Sequence, residues 1–163
     1  MKKRIAALLL FAALIPVGLW WFSPEQVLMR RTEKLLELFS LSEDTRGPKQ
    51  MRVFAMNKML CPQVELIIPD VSEANGSFDK AEIEAVFSWI CQNATRSHFE
   101  IVSFRDVSVS GEKASVSFAA AGSIQFRSTQ PIEGSFEVTI IWKKAEDGWR
   151  YEKVTCKKLE ESG

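Results

Sequence analysis

The stretch from Phe136 to Val154, FEVTIIWKKAEDGWRYEKV, leaves its backbone few choices. Phe136, Val138, Ile140 and Trp142 alternate with Glu137, Thr139 and Lys143. A period of two is that of a half-buried strand, because successive side chains point to opposite faces. Asp147-Gly148 supplies a tight turn, and a second strand begins at Trp149 with Tyr151 in phase. A lone hairpin is marginal in water, so this pair has to belong to a larger sheet with an apolar layer against one face.

The residues before it supply both parts. After His98 the pattern is alternating: Phe99, Ile101 and Ser103 open one strand, and VSVSGEKASVSFAAAG turns at Gly111. Ala114, Val116, Phe118 and Ala120 share one face there, opposite Ser115, Ser117 and Ala119. SIQFRSTQPIEGS reads as an extended turn. Before His98 the period is helical. Ser23 caps a helix with Pro24 in its first position, and Val27, Leu28, Leu35, Leu38 and Phe39 form its apolar stripe. Gly47-Pro48 ends any helix begun there, and a second helix is expected from about Pro48 to Leu60. VELIIP is a short strand, and a third helix is expected from about Lys80 to Thr95 with Ile83, Val86, Phe87 and Ile90 on one face. Helices first and an antiparallel meander afterwards define an α+β fold: N-terminal helices packed on a curved antiparallel sheet.

One further element precedes this body. Lys2, Lys3 and Arg4 are followed by an uncharged, apolar run from Ile5 to Phe22. As a helix that run reaches about 27 Å, close to the hydrocarbon thickness of a bilayer. Cleavage of a signal peptide wants small residues at the end of the apolar run, whereas Trp20 and Trp21 suit an interfacial belt. The expectation is one transmembrane helix, residues 1–22, that anchors a domain of residues 23–163 outside the cytoplasm, in the periplasm if the host is Gram-negative. Cleavage would instead make the protein secreted. Without Lys2, Lys3 and Arg4 the basic residues fall three short of the 21 acidic ones, so the body is mildly acidic. That is the wrong footprint for neutralising phosphates, and nucleic acid is excluded as a partner.

The order helix–helix–strand–helix, then a long meander ending in WKK…DGWRYEKV, resembles the nuclear transport factor 2-like (SnoaL-like, cone-shaped) superfamily. Trp142, Asp147, Gly148, Trp149, Tyr151 and Val154 carry the resemblance, with VSVSGEKASVSF as the preceding hairpin. It implies a cystatin-like cone over roughly Gln26 to Leu159. The superfamily holds isomerases, dehydratases, hydrolases, transport adaptors and non-enzymatic domains, so the fold alone selects no activity. An N-terminal span ahead of such a domain is similar in architecture to assembly factors of type IV secretion systems.

Enzymes of that superfamily are expected to place Asp, His, Tyr or Arg inside the cone, where general acid–base chemistry needs a buried group with a tuned pKa. The apolar strand faces here offer Val116, Phe118, Ala120, Val138, Ile140 and Trp142, none of which titrates. His98 falls at the helix-to-strand junction, Tyr151 is in phase with the core, and Arg105, Asp106 and Arg127 read as surface charges. No catalytic residue, cofactor or metal is assigned. VSEANGSFDKAE, Val71 to Glu82, approaches a calcium loop, but Val71 stands where the first carboxylate ligand belongs. The simpler reading is a turn at Asn75-Gly76 and a capping box of Asp79 with Glu82. Cys61, Cys91 and Cys156 match no zinc or redox spacing. Outside the cytoplasm Cys61 and Cys91 could form a disulfide worth about 3–4 kcal/mol; the alternative is buried thiols.

These observations favour a membrane-anchored binding or assembly module without catalytic activity, held by Ile5 to Phe22 and meeting a protein partner or a second copy through the sheet. A small apolar-ligand carrier is the alternative, with Phe118, Val138, Trp142 and Trp149 lining a pocket; a SnoaL-like isomerase or dehydratase is the third. A filled cone with exposed apolar surface would favour the first, and a cavity with a buried polar group the others. Trp142 and Trp149 are expected to serve the core.

Overall fold

The computed structural model describes residues 21–41, 49–69, 74–127 and 129–159. Helix α1 spans Pro24–Phe39, α2 Lys49–Asn57 and α3 Lys80–Asn93. The strands are β1 (Leu60–Ile67), β2 (Gly76–Asp79), β3 (Ala94–Ser110), β4 (Lys113–Phe126), β5 (Ile132–Ala145) and β6 (Gly148–Leu159). They form one sheet in the order β2-β1-β6-β5-β4-β3. The helices cover one face of it, which confirms the α+β class.

Local chemistry sets the helix limits. The Ser23 hydroxyl accepts from the Gln26 amide at 3.4 Å, and Pro24 occupies the first turn where its missing N–H costs nothing. Leu28, Thr32, Leu35 and Leu38 are buried on one face. Thr32 is tolerated there because its hydroxyl donates to the Leu28 carbonyl at 2.9 Å. At the other end of α1 the Arg52 guanidinium donates to the carbonyls of Leu38 (3.0 Å) and Ser40 (2.9 Å). A cation there satisfies orphan acceptors and opposes the helix dipole, and it ties α2 to α1. Helix α2 stops at Asn57, short of the expected Leu60, because the Met59 carbonyl accepts from Tyr151 of β6 at 2.8 Å and Leu60 already pairs with that strand.

The capping box of α3 is present: Asp79 accepts from the Glu82 amide and Glu82 accepts from the Asp79 amide, both at 2.8 Å. The helix ends at Asn93 instead of Thr95, since Ala94 pairs with Phe126 and opens β3. Its inward face is Phe87 and Cys91 with Ile83 beside them, while Val86, one residue and about 100° from Phe87, points to solvent.

Two expectations about the sheet need correction. It is mixed, because β1 runs parallel to β6, whereas β3 to β6 form the antiparallel meander. The chain leaves β1, makes a short antiparallel partner in β2, and builds α3 and three further strands before β6 returns to β1. The extended turn from Ser123 to Ser135 is also shorter than expected, because β4 runs to Phe126 and β5 starts at Ile132. Gly122 and Gly134, which punctuate the sequence like turn residues, are paired opposite each other inside strands. A Cβ at Gly122 would overlap the Phe99 ring, so the glycine makes room for an aromatic lying across the sheet. Register shifts in β3 at Ile101/Ser103 and Phe104/Asp106 give the strand the local twist that curves a sheet.

The predicted membrane anchor, Ile5 to Phe22, lies outside the described residues except for Trp21 and Phe22, which are exposed. Among the described residues no helix is long and apolar enough to cross a membrane.

Candidate binding groove and the filled cone

The inner face of the sheet is continuous with the helices. Cross-strand register sets Ala114 beside Trp142, Val116 beside Ile140 and Phe118 beside Val138. Trp142 is also paired with Tyr151 of β6, their rings edge to face at 5.9 Å. Phe118, Trp142 and Trp149 are buried in one cluster with Leu28, Leu35, Leu38, Met56 and Phe87, and Val138 packs against it. The four residues expected to line a pocket therefore sit in this cluster, and the two pockets described below are lined by other residues.

Tyr151 is the one phenol in the cluster. Its hydroxyl donates to the Met56 sulfur at 3.3 Å. Burial raises its pKa far above the ordinary phenol value, so it stays neutral. The Trp142 Nε1 atom is buried without a hydrogen-bond partner. The other candidates for acid–base work are dispersed. His98 lies 3.6 Å from Glu100, both exposed on β3. Arg105, Asp106 and Arg127 are exposed. Asp147 and Arg150 pair at 2.8 Å beside the β5–β6 turn, which holds the Asp147 carboxyl below its ordinary value. Arg31 of α1 reaches the same turn and donates to the Trp149 carbonyl.

Cys61 and Cys91 are both buried thiols with no bond between them, so the anticipated bridge is not formed in this structure. The Cys61 sulfur faces the Arg150 carbonyl at 3.7 Å, and burial raises its pKa, which leaves it protonated and unreactive. No group of three His, Cys, Asp or Glu residues that could hold a metal ion occurs among the described residues; Asp70 to Glu73, and with them the start of the candidate calcium loop, lie outside these.

Two pockets bordered by described residues lie away from this cluster. A groove of 610 Å³ runs between α2 and α3, lined by Gln50, Val53, Phe54 and Asn57 from one helix and Glu84, Ser88 and Gln92 from the other. Both sets follow helical spacing: one stripe of α2, and an i, i+4, i+8 ridge of α3. Phe54 is 61% exposed, and the Lys58 ammonium lies 4.6 Å above its ring. Gln92 donates to the Ser88 hydroxyl at 3.1 Å. Glu84 differs from the rest of the ridge, because its Oε1 atom is buried and has no hydrogen-bond partner. The outer sides of the two helices also expose Met51, Val86 and Trp89. A second, shallower pocket of 610 Å³ borders the β1–β2 pair at Leu66, Ile67, Asn75 and Gly76.

Sequence reasoning missed the groove. The available signal was MRVFAM in α2, Met51 to Met56, where apolar residues occur all round a helix of 9 residues that can bury only one side.

By sequence, no protein family and no curated protein matches the chain. By structure it is similar to a protein of the NTF2-like (nuclear transport factor 2-like) family from Streptomyces avermitilis, provisionally named a dehydratase: TM-score 0.62, 16% identity, covering 83% of this chain and 95% of that one. An NTF2-like protein from Cytophaga hutchinsonii gives a TM-score of 0.61 at 15% identity over 85% of this chain and all of its own, 100%. A protein from Novosphingobium aromaticivorans provisionally named an aromatic ring hydroxylase gives 0.62 at 14% identity over 79% of this chain and 87% of that one. The chain has the nuclear transport factor 2-like fold.

Proposed function

We propose that this chain uses the nuclear transport factor 2-like fold as a binding or assembly module, without catalysis of its own, held at a membrane with its body outside the cytoplasm. The observation that carries the reading is the packing of the cone. Among the described residues Leu28, Phe87, Phe118, Ile140 and Trp142 are fully buried in one apolar cluster between helices and sheet, where enzymes and carriers of this shape would need space. The only phenol there is neutral and engaged with Met56. Large apolar side chains are exposed on the helical layer instead, at Met51, Phe54, Val86 and Trp89. Such surface on a soluble body is the usual mark of an interaction site. The apolar run from Ile5 to Phe22, with Lys2, Lys3 and Arg4 before it, supports the location.

The dehydratase and hydroxylase names of two structural neighbours support an enzyme only at the level of the fold, which hosts many functions. Acid–base chemistry inside the cone would require a carboxylate or an imidazole there, and among the described residues the buried cluster holds neither. A partner on the sheet would meet the exposed Val102 of β3, and on β4 and β5 the half-buried Ser117 and Thr139, which are bonded to each other at 2.8 Å.

Site-specific photo-cross-linking in the native host tests the reading. A photoreactive residue at Phe54 or Trp89 is expected to capture one discrete partner in the membrane fraction, and the same probe at Ser108 on the sheet's outer face is not. A small apolar ligand that raises the melting temperature of the body, and loses that effect in Phe118→Trp, would replace the module by a carrier.

A further inference from the structure

We propose that the end of the domain carrying the β3–β4 and β5–β6 turns rests on the lipid surface, with the exposed Lys143 and Lys144 against lipid phosphates. The proposal rests on the membrane-anchored reading and adds to it the face that meets the bilayer.

Three observations point to that end. The first is the junction with the apolar run, which ends at Phe22. Helix α1 begins at Pro24, so Ser23 alone separates the two. One residue is no flexible linker, and it leaves the body no room to move away from a membrane. Arg30 fastens the junction further: its guanidinium donates to the Trp21 carbonyl at 2.7 Å and lies 4.5 Å above the Trp21 ring. Trp21 and Phe22 are 51% and 77% exposed, and such rings suit the interfacial layer of a bilayer.

The second is the course of α1. Its C-terminal end lies at the start of β3, where Leu41 pairs with Ser97 and the Ser40 hydroxyl accepts from the Phe99 amide at 2.9 Å. Arg31, in the other half of the helix, donates to the Trp149 carbonyl beside the β5–β6 turn. Ser97 is in register with Ile124 and through it with Ile132, at the opposite end of the meander from Trp149. The start of α1, and the anchor before it, therefore stand at the turn end of the sheet. From Pro24 to Arg31 the helix rises about 10 Å, which a head-group layer of roughly 5–8 Å and the length of a lysine side chain together span.

The third is the charge at that end. Register sets Lys143 between Lys113 of β4 and Arg150 of β6, a row of cations across the sheet. Like charges side by side repel. Lys113 is paired with Glu152 and Arg150 with Asp147, whereas Lys143 and Lys144 are exposed and form no ion pair among the described residues. Glu25, Glu112 and Glu146 are also exposed there, so the attraction is a short-range one between these lysines and the nearest phosphates. A soluble acidic segment would compete poorly, because the anchor holds the phosphates of the bilayer beside the lysines at high effective concentration. The same orientation leaves Trp89, beside Phe126 at the other end of β4, clear of the bilayer and open to a protein partner.

The test uses the full chain in phosphatidylcholine vesicles, with and without added phosphatidylglycerol. A fluorescent amino acid is placed at Glu146 in the β5–β6 turn or at Glu133 near the start of β5, and quenching by a lipid with a nitroxide on its head group is measured. The probe at Glu146 is expected to be quenched several-fold more than the probe at Glu133, and more strongly again with phosphatidylglycerol. Lys143→Glu combined with Lys144→Glu, at an unchanged melting temperature, is expected to remove that increase. Equal quenching at the two positions, stronger quenching at Glu133, or an increase that survives the double variant overturns the proposal. A chain that alkaline carbonate extracts from the vesicles has no anchor, and that result ends the anchored reading together with the proposal. A chain that resists carbonate yet shows equal quenching is anchored in another orientation, and only the proposal falls.

Discussion

Trp142 and Trp89 set the same side chain in two regions of the molecule. Trp142 is 0% exposed in the cone, and Trp89 is 55% exposed on α3, its ring 5.3 Å from that of Phe126. Both have apolar neighbours in sequence. What separates them is phase. Trp142 stands at the end of an alternation with Val138 and Ile140, on a strand flanked by β4 and β6, so its face has to be covered. Trp89 lies two positions from Phe87 and two from Cys91, about 200° round the helix from each, so the same turn that buries those residues turns it outward. Apolar content alone does not locate a core; phase relative to a covered face does.

The comparison can be broken by truncating both rings. Trp142→Ala is expected to cost about 3–5 kcal/mol, as buried aromatic truncations do, and Trp89→Ala to stay within about 0.5 kcal/mol. Urea denaturation midpoints of the two variants decide it, and similar losses would end the distinction between interior and surface. Trp142→Phe sharpens the point. It deletes the buried Nε1–H that has no acceptor while keeping most of the ring, so it should cost well under half of the alanine loss.

A smaller effect tests how far the interior reaches along β4. Gly122→Val forces a side chain into the Phe99 ring and is expected to cost about 1–3 kcal/mol by overpacking. A neutral result would mean that the Phe99 ring is free to move away, and that this end of the sheet belongs with the surface. Smaller again, Asp79→Ala removes half of the α3 capping box and should cost about 1 kcal/mol. Hydrogen exchange should report the loss as faster opening of the first turn of α3, with Phe87 protected as before.

The least effect belongs to Asp147, which is exposed. Its folded pKa is lowered by the Arg150 hydrogen bond, so its contribution is present above the ordinary value of 3.8 and fades as the pH falls through the lower, folded value. Asp147→Asn should therefore lower the midpoint slightly at neutral pH and not at all in strong acid. A gap that widens on acidification would contradict the pairing.

Much of the fold was legible in the sequence because it is local. The capping box, Ser23-Pro24 and the Asp147-Gly148 hairpin each depend on residues a few positions apart. The extended turn from Ser123 to Ser135 was overdrawn: Gly134 lies in β5 opposite Gly122, and what makes glycine fit the strand at Gly122 is the Phe99 ring from β3. The parallel pairing of β1 with β6 was hidden for a similar reason: nothing within VELIIP names its neighbour. The groove was least legible, because it is a relation between α2 and α3. Glu84 reads as an ordinary helix-surface acid until Val53 and Phe54 are brought opposite it.

The pairing of β1 with β6 has a consequence for how the chain is made. Leu60 and Tyr151 are register partners, yet nearly the whole meander is synthesised between them. Contacts this distant along the chain form late and slowly. While β6 is still in the ribosome, Val64 and the apolar stripe of α1 have no finished sheet to cover them. A chain stopped before Gly148 lacks that closing strand altogether, and quality-control proteases would meet it with its core open.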